Sequence, residues 1–443
     1  MRRRQLALLF VSCILITFAA RSAQATYSIA ACDAKTRECG VAVQTNNLAV
    51  GASVPYAQAG VGALASQFET NPHYGPRGLA LLSQGLSPEE TLQRLLAEDG
   101  NFDGQGTEAR QVGLVSVDGR SVNFTGAEAQ HAAWAGARSG AGYTIQGNGL
   151  AGPNVLEAME KAFLATQGSL ADRLMAALIA GDSAGGQKTG RESAALLVKT
   201  PQGFPIDIDL RVDSSSDPVA GLHQLFDMQM ARQQVVEAGM LAQKGQLDEA
   251  KALLIAAVAR GSAWSRVWLR GAKVAVAIEE PSLALQYLSV AFAQNPKWIA
   301  SEIGNGDYAD LGADPRFHRW ISSEDVTSAL AAYSRFQQAR EATLQQKIDL
   351  GALLLEVGRP AEALTVLNTL PQNSASPEVI LLRSAAYAAG RDFSAAIAQC
   401  NAALASSPNP ARLRRRIARY QQQLNAQGRS AESSQASQHK DSP

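Results

Sequence analysis

The apolar pattern of this chain changes once, near residue 217, and that change limits the folds open to it. From residue 26 to about 215, strand-like and helix-like stretches alternate. Thr26 to Cys32, Gly40 to Thr45, Val61 to Phe68 and Tyr143 to Gln146 read as strands. Val112 to Val117 and Ser121 to Phe124 read as a hairpin around Asp118-Gly119, whose residue types suit a type I′ turn. Ser87-Pro88-Glu89-Glu90 has the form of a capping box with proline in the first turn, and Pro153 and Ser169 open two further helices. Ala194 to Lys199 and Ile206 to Val212 close the region as strands. Beyond it only the helical period of 3.6 persists, which predicts an α+β domain followed by an all-helical one.

The helical part carries an internal repeat. Ala250 and Ala284 stand 34 residues apart, followed by Leu254/Ala257 and Leu288/Ala291, and Gly351, Leu354, Ala363, Leu367 with Ser384, Tyr387, Ala396, Cys400 extend the frame. These resemble tetratricopeptide repeats, in which small residues let paired helices approach closely. The expected limits are 228–425 for the repeats and 426–443 for a polar, disordered tail. An irregular alanine-rich bundle is the alternative reading.

Residues 1–25 predict a secretory leader: Arg2, Arg3 and Arg4 precede an apolar run of about 15 residues, then Ala23-Gln24-Ala25 offers a cleavage site. That run is short of the ~20 residues a spanning helix needs, so a periplasmic or secreted protein with no membrane association after leader removal is expected. Lys+Arg and Asp+Glu number 40 each, and the leader takes four arginines with it. The mature chain is therefore slightly acidic, which argues against nucleic acid as a partner. Cys32 and Cys39 face each other across the first hairpin, and an oxidising compartment favours a disulfide between them, two buried thiols being the alternative.

Several motifs carry less than they promise. Gly181-Asp182-Ser183-Ala184-Gly185 fits G-x-S-x-G, but a helix enters it and a strand leaves, the reverse of a nucleophile elbow. Gly147-Asn148-Gly149-Leu150-Ala151-Gly152 fits G-x-G-x-x-G without the parallel βαβ unit that a dinucleotide site requires. No cofactor and no metal are expected.

Cleavage after Ala25 makes Thr26 the first residue of the mature chain. A threonine there carries a hydroxyl and an α-amine of pKa near 8 on one residue, so nucleophile and base form a single unit. The surrounding motifs are those of a family: Thr26-Tyr27-Ser28-Ile29-Ala30, Gly40-Val41-Ala42-Val43, Gly60-Val61-Gly62-Ala63, Asn71-Pro72-His73-Tyr74-Gly75, Gln146-Gly147-Asn148, Gly190-Arg191-Glu192-Ser193-Ala194 and Leu210-Arg211-Val212-Asp213. Together, over roughly 26–227, they resemble the domain of unknown function 1028 family. That resemblance implies an N-terminal-nucleophile (Ntn) hydrolase-like four-layer αββα sandwich and amide hydrolysis, with the substrate left open. Family members often continue Arg-Val-Asp-Asp-His where this chain has Asp213-Ser214-Ser215.

The expectation is thus an exported N-terminal-threonine amidohydrolase acting on a small amide or peptide, with a helical-repeat module for a protein or peptide partner. Thr26 is the expected nucleophile and Asn148 the expected oxyanion donor, on a glycine-flanked loop. Arg191 and Asp209 are candidates for orienting the amine or binding a carboxylate, and Gln67 and Asn71 for polar groups of the pocket. The rival is an inactive scaffold of the same fold that serves only to bind.

Overall fold

The computed structural model describes residues 25–338, 341–370 and 376–438. The predicted leader therefore lies outside the described residues up to position 24, as do the last five residues of the tail. The chain divides into two compact units, Met1–His223 and Gln224–Pro443.

The first unit is built from two antiparallel sheets. Its strands are β1 (Thr26–Cys32), β2 (Cys39–Thr45), β3 (Pro55–Gln58), β4 (Gly62–Phe68), β5 (Arg110–Ser116), β6 (Ser121–Thr125), β7 (Gly136–Gly140), β8 (Tyr143–Asn148), β9 (Ser193–Lys199) and β10 (Ile208–Val212). One sheet has the order β10-β9-β2-β1-β8-β7 and the other β3-β4-β5-β6. Between strands run α1 (Tyr74–Ser83), α2 (Pro88–Ala97), α3 (Ala127–Gln130), α4 (Asn154–Ala165) and α5 (Leu170–Ser183). Ser87 and Ser169 cap α2 and α5 with reciprocal bonds to Glu90 and Asp172, each satisfying backbone donors that the first helical turn leaves free.

Alternation along β1 decides what packs where. Tyr27 and Ile29 point to the α5 side, where Tyr27 lies against Gly181. Thr26, Ser28, Ala30 and Cys32 point to the second sheet, and Ser28 bonds Gln67 there. One end of the space between the sheets is apolar, formed by Ala30, Val41, Val43, Ala63, Ala65 and Val115. The other end is polar. On the far side of the second sheet, Leu64, Val112 and Leu114 form a separate core with the α1 and α2 leucines Leu81, Leu82, Leu92 and Leu95. Cys32 and Cys39, paired in the β1–β2 register, are joined by a disulfide.

The boundary between units falls inside α6 (Pro218–Gln243). The second unit continues with α7 (Leu247–Arg260), α8 (Ser265–Ala277), α9 (Pro281–Gln294), α10 (Pro296–Ser301), α11 (Pro315–His318), α12 (Ser323–Gln338), α13 (Leu344–Glu356), α14 (Pro360–Leu367), α15 (Pro377–Ala389), α16 (Phe393–Ala403) and α17 (Pro410–Gln438). The repeat-frame residues are interior: Ala250, Leu254, Ala257, Ala284, Leu288 and Ala291 are fully buried. Helix α17 runs on through 426–438, where the sequence pattern predicts a disordered tail. Glutamine, alanine and arginine are good helix formers, and the only glycine in that stretch, Gly428, does not interrupt it.

Helix α17 returns to the start of its own unit. Asn409, just before it, donates to the carbonyl of Ala242 at 2.8 Å, and Arg412, Arg416 and Arg419 converge on Glu279. The Glu279 side chain is 1% exposed. Burial pushes its carboxyl up, but the three guanidiniums outweigh that and hold it down at about 2. Among the described residues no helix is long and apolar enough to cross a membrane.

Candidate active site

Strand pairing places Thr26 between two polar residues. It is opposite Thr45 on β2 and opposite Asn148 on β8. Thr26 is 4% exposed and opens onto a cleft of ≈ 210 Å³ lined also by Thr45, Asn47, Leu48, Val50, Ser53, Val54, Gln67, Phe68, Glu69 and Thr70. Phe68 ends β4 at φ 64, a left-handed conformation that costs a bulky residue free energy and here turns the chain along the cleft wall.

The hydroxyls of Thr26 and Thr45 lie 3.0 Å apart. Thr45 Oγ donates its one proton to the carbonyl of Ala25, at 2.9 Å, so Thr26 is the donor in the contact between the two hydroxyls. Beneath them is a buried amide network whose orientation is fixed by its ends. Gln111 Nε2 donates to the carbonyl of Gly147 at 3.0 Å, which accepts only, so Gln111 Oε1 must be the acceptor for Gln67 Nε2 at 2.8 Å and Asn148 Nδ2 at 2.9 Å. Gln67 Oε1 in turn accepts from Ser28 Oγ at 2.6 Å, and Ser28 from Gln146 Nε2 at 2.7 Å. Gln67 also donates to the Thr26 carbonyl at 3.3 Å. Asn148 Oδ1 is left buried without a hydrogen-bond partner.

Of the expected site residues, the structure therefore brings Thr26, Asn148 and Gln67 together and leaves three elsewhere. Asn71 donates to the backbone and side chain of Asp99, within a buried group completed by Tyr74 and Arg110. Arg191 pairs with Asp182 at 2.7 Å and Asp217 at 3.7 Å. Asp182 is pushed up by burial, against the pull of Arg191. Asp209 is exposed on the edge strand β10. Asn148 donates one N–H to Gln111, and its buried Oδ1 is an unpaired acceptor.

Sequence reasoning missed Thr45, Gln111, Gln146 and Gln187. Gln146 and Asn148 carried a signal, since residues two apart on a strand share a face. Gln187, whose Nε2 donates to the carbonyl of Gln44 next to Thr45 at 3.2 Å, carried none: its place depends on a loop returning from α5, held by Lys188 N to Gly149 O at 3.1 Å and Ala151 N to Gly186 O at 2.9 Å. Among the described residues no group of three or more His, Cys, Asp or Glu is placed to hold a metal ion.

The model of a family of unknown function, DUF1028, matches residues 26–222. Among solved structures, the chain is similar to protein SPO2555 from Silicibacter pomeroyi, described as a DUF1028 protein. The two are 32% identical over 46% of this chain and 84% of that one, with a TM-score of 0.41. No curated protein matches. The residues that form the cleft all fall within residues 26–222, the segment of this chain that matches the DUF1028 family.

Proposed function

We propose that the protein is an exported N-terminal-threonine amidohydrolase of the Ntn type. The observation that carries this is the setting of Thr26, the only residue of β1 on the cleft: its hydroxyl is held by Thr45 Oγ at 3.0 Å, and the unpaired acceptor Asn148 Oδ1 belongs to the residue across the strand pair. Once the bond before Thr26 is cut, its nitrogen becomes an α-amine. Asn148 Oδ1 then serves as an acceptor for that amine and turns its lone pair toward the hydroxyl. Thr26 Oγ attacks the amide carbon of the substrate as its proton passes to the amine. Collapse expels the leaving amine, which takes that proton, and water hydrolyses the ester. The cleft lining includes one carboxylate, Glu69, and no lysine or arginine, which suits a small neutral or cationic amide.

Two sheets facing each other, with α1 and α2 against one and α4 and α5 against the other, support the αββα reading of this unit. The Cys32–Cys39 bond fits an oxidising compartment. The buried 34-residue frame supports a tetratricopeptide-like module for a protein or peptide partner in the second unit.

Mature protein beginning at Thr26 tests the enzyme reading. Its hydroxyl should be labelled by a threonine-directed electrophile such as a β-lactone. Thr26→Ser should retain labelling, whereas Thr26→Ala and a one-residue extension ahead of Thr26 should each reduce it by at least ~100-fold, on the order of 3 kcal/mol in barrier. Equal labelling of wild type and extended protein would sink the α-amine as base.

A further inference from the structure

The carbonyl of Ala25 is held by more than strand pairing. Thr45 Oγ donates to it at 2.9 Å, the amide of Asn46 at 3.3 Å, and Gln187 Nε2 makes a third contact. Gln187 cannot be turned the other way, because the same nitrogen donates to the carbonyl of Gln44 at 3.2 Å and both of its partners only accept. Ala25 itself is fully buried. In the uncut chain this oxygen belongs to an amide carbonyl whose carbon is bonded to the Thr26 nitrogen. It stands in for the carbonyl oxygen of an amide presented to Thr26 Oγ.

The geometry points to Thr45 Oγ, Gln187 Nε2 and the Asn46 amide as the oxygen-binding cradle of the mature site, where they receive the carbonyl oxygen of the acyl group that Thr26 attacks. This rests on the N-terminal-threonine reading and adds donors to it, one N–H of Asn148 being engaged by Gln111. When Ala25 leaves, Thr45 and Gln187 lose that acceptor while the loop bonds at Gly149 and Ala151 keep Gln187 in place. As Oγ bonds to the carbonyl carbon, the π electrons move onto the oxygen in the cradle. They return when the C–N bond breaks. Donors fixed in advance on a buried oxygen favour the charged state over the neutral one.

The test uses mature protein and two probes. N-acetyl-boroalanine should give a tetrahedral adduct on Thr26, seen as an upfield ¹¹B resonance, with one boron oxygen in the cradle; methyl vinyl sulfone should alkylate Thr26 without passing through a carbonyl oxyanion. Thr45→Val and Gln187→Glu should each weaken the boronate at least tenfold; Thr45→Val also frees the Thr26 hydroxyl, so the reading is the ratio of the two probes, each variant costing the boronate at least fivefold more than it costs the vinyl sulfone rate. Thr45→Ser, which restores the hydroxyl, should recover boronate affinity. Unchanged boronate affinity in both variants overturns the cradle and leaves Thr26 as nucleophile, as does alkylation of the wild type without any tetrahedral boron adduct. Equal loss with both probes, in variants whose circular dichroism is native, assigns Thr45 and Gln187 to positioning Thr26 and also overturns it. Failure of both probes on the wild type removes the nucleophile and the cradle together.

Discussion

Gln67 and Asn71, four residues apart, enter different chemistry. Gln67 is on β4 facing the first sheet, in reach of Thr26; Asn71 lies past the turn and serves Asp99. Asp99 accepts from Asn71, from Tyr74 at 2.7 Å and from Arg110 at 2.9 Å, and Arg110 also reaches the carbonyls of Glu69, Phe102 and Gln105. This group fixes the loop that leads away from the cleft. Burial raises the Asp99 carboxyl, but bonds from Arg110, Tyr74 and Asn71 outweigh it and lower it. Arg110 is 1% exposed, so removing its counterion strands a buried charge. Asp99→Ala should therefore cost about 3–5 kcal/mol, read as a fall in the denaturant midpoint. Asn71→Ala should cost less, since the ion pair survives it.

At the scale of elements, the polar layer requires a glycine on β5. A Cβ built on Gly113 would overlap the buried side-chain amide of Gln146, which Ser28 holds in place across the sheets, so Gly113→Ala should destabilise by about 1–3 kcal/mol. The double variant Gly113→Ala/Gln146→Ala should lose less than the sum of the singles in thermal unfolding; strict additivity would show that the sheets do not meet there. β10, with its strict apolar alternation, and the largely apolar runs of β1, β5 and β9 are legible in the sequence, as are the capping boxes of α2 and α5. Two strands are not. β7, Gly-Ala-Arg-Ser-Gly, has no apolar period and exists because it pairs with β8 at the sheet edge. β3 is a four-residue edge strand opening on proline, a residue that edges tolerate and local patterns read as a break. The site divides the same way. Thr26 is legible because the predicted leader cleavage site points to it, whereas Thr45 and Gln187 reach it only through register and loop return, which no local pattern encodes.

At the scale of the whole molecule, charge matters most in the helical unit. The Glu279 carboxyl sits at about 2, below its ordinary 4.5. A depressed carboxylate contributes stability that is complete above its unfolded value and lost as pH falls toward the folded one. The unit should therefore hold above pH ~4.5 and lose on the order of 3 kcal/mol on the way to pH ~2. Trp264, Trp268, Trp298 and Trp320 lie in this unit and Trp134 in the other, so tryptophan fluorescence of a Trp134→Phe protein reads it. Glu279→Gln should flatten that acid limb while lowering stability at neutral pH; an unchanged acid limb would show that the carboxylate is not the group that titrates. The cations that neutralise Glu279 are also remote in the chain, Arg412 lying 133 residues downstream. At ribosomal speeds of about 5–20 residues per second that distance is about 7–27 seconds of synthesis, during which the nascent helices carry an acid that those arginines do not yet pair. Closure of this unit therefore waits for Arg412, Arg416 and Arg419, and a chain that stops ahead of position 412 lacks all three guanidiniums that pair with Glu279.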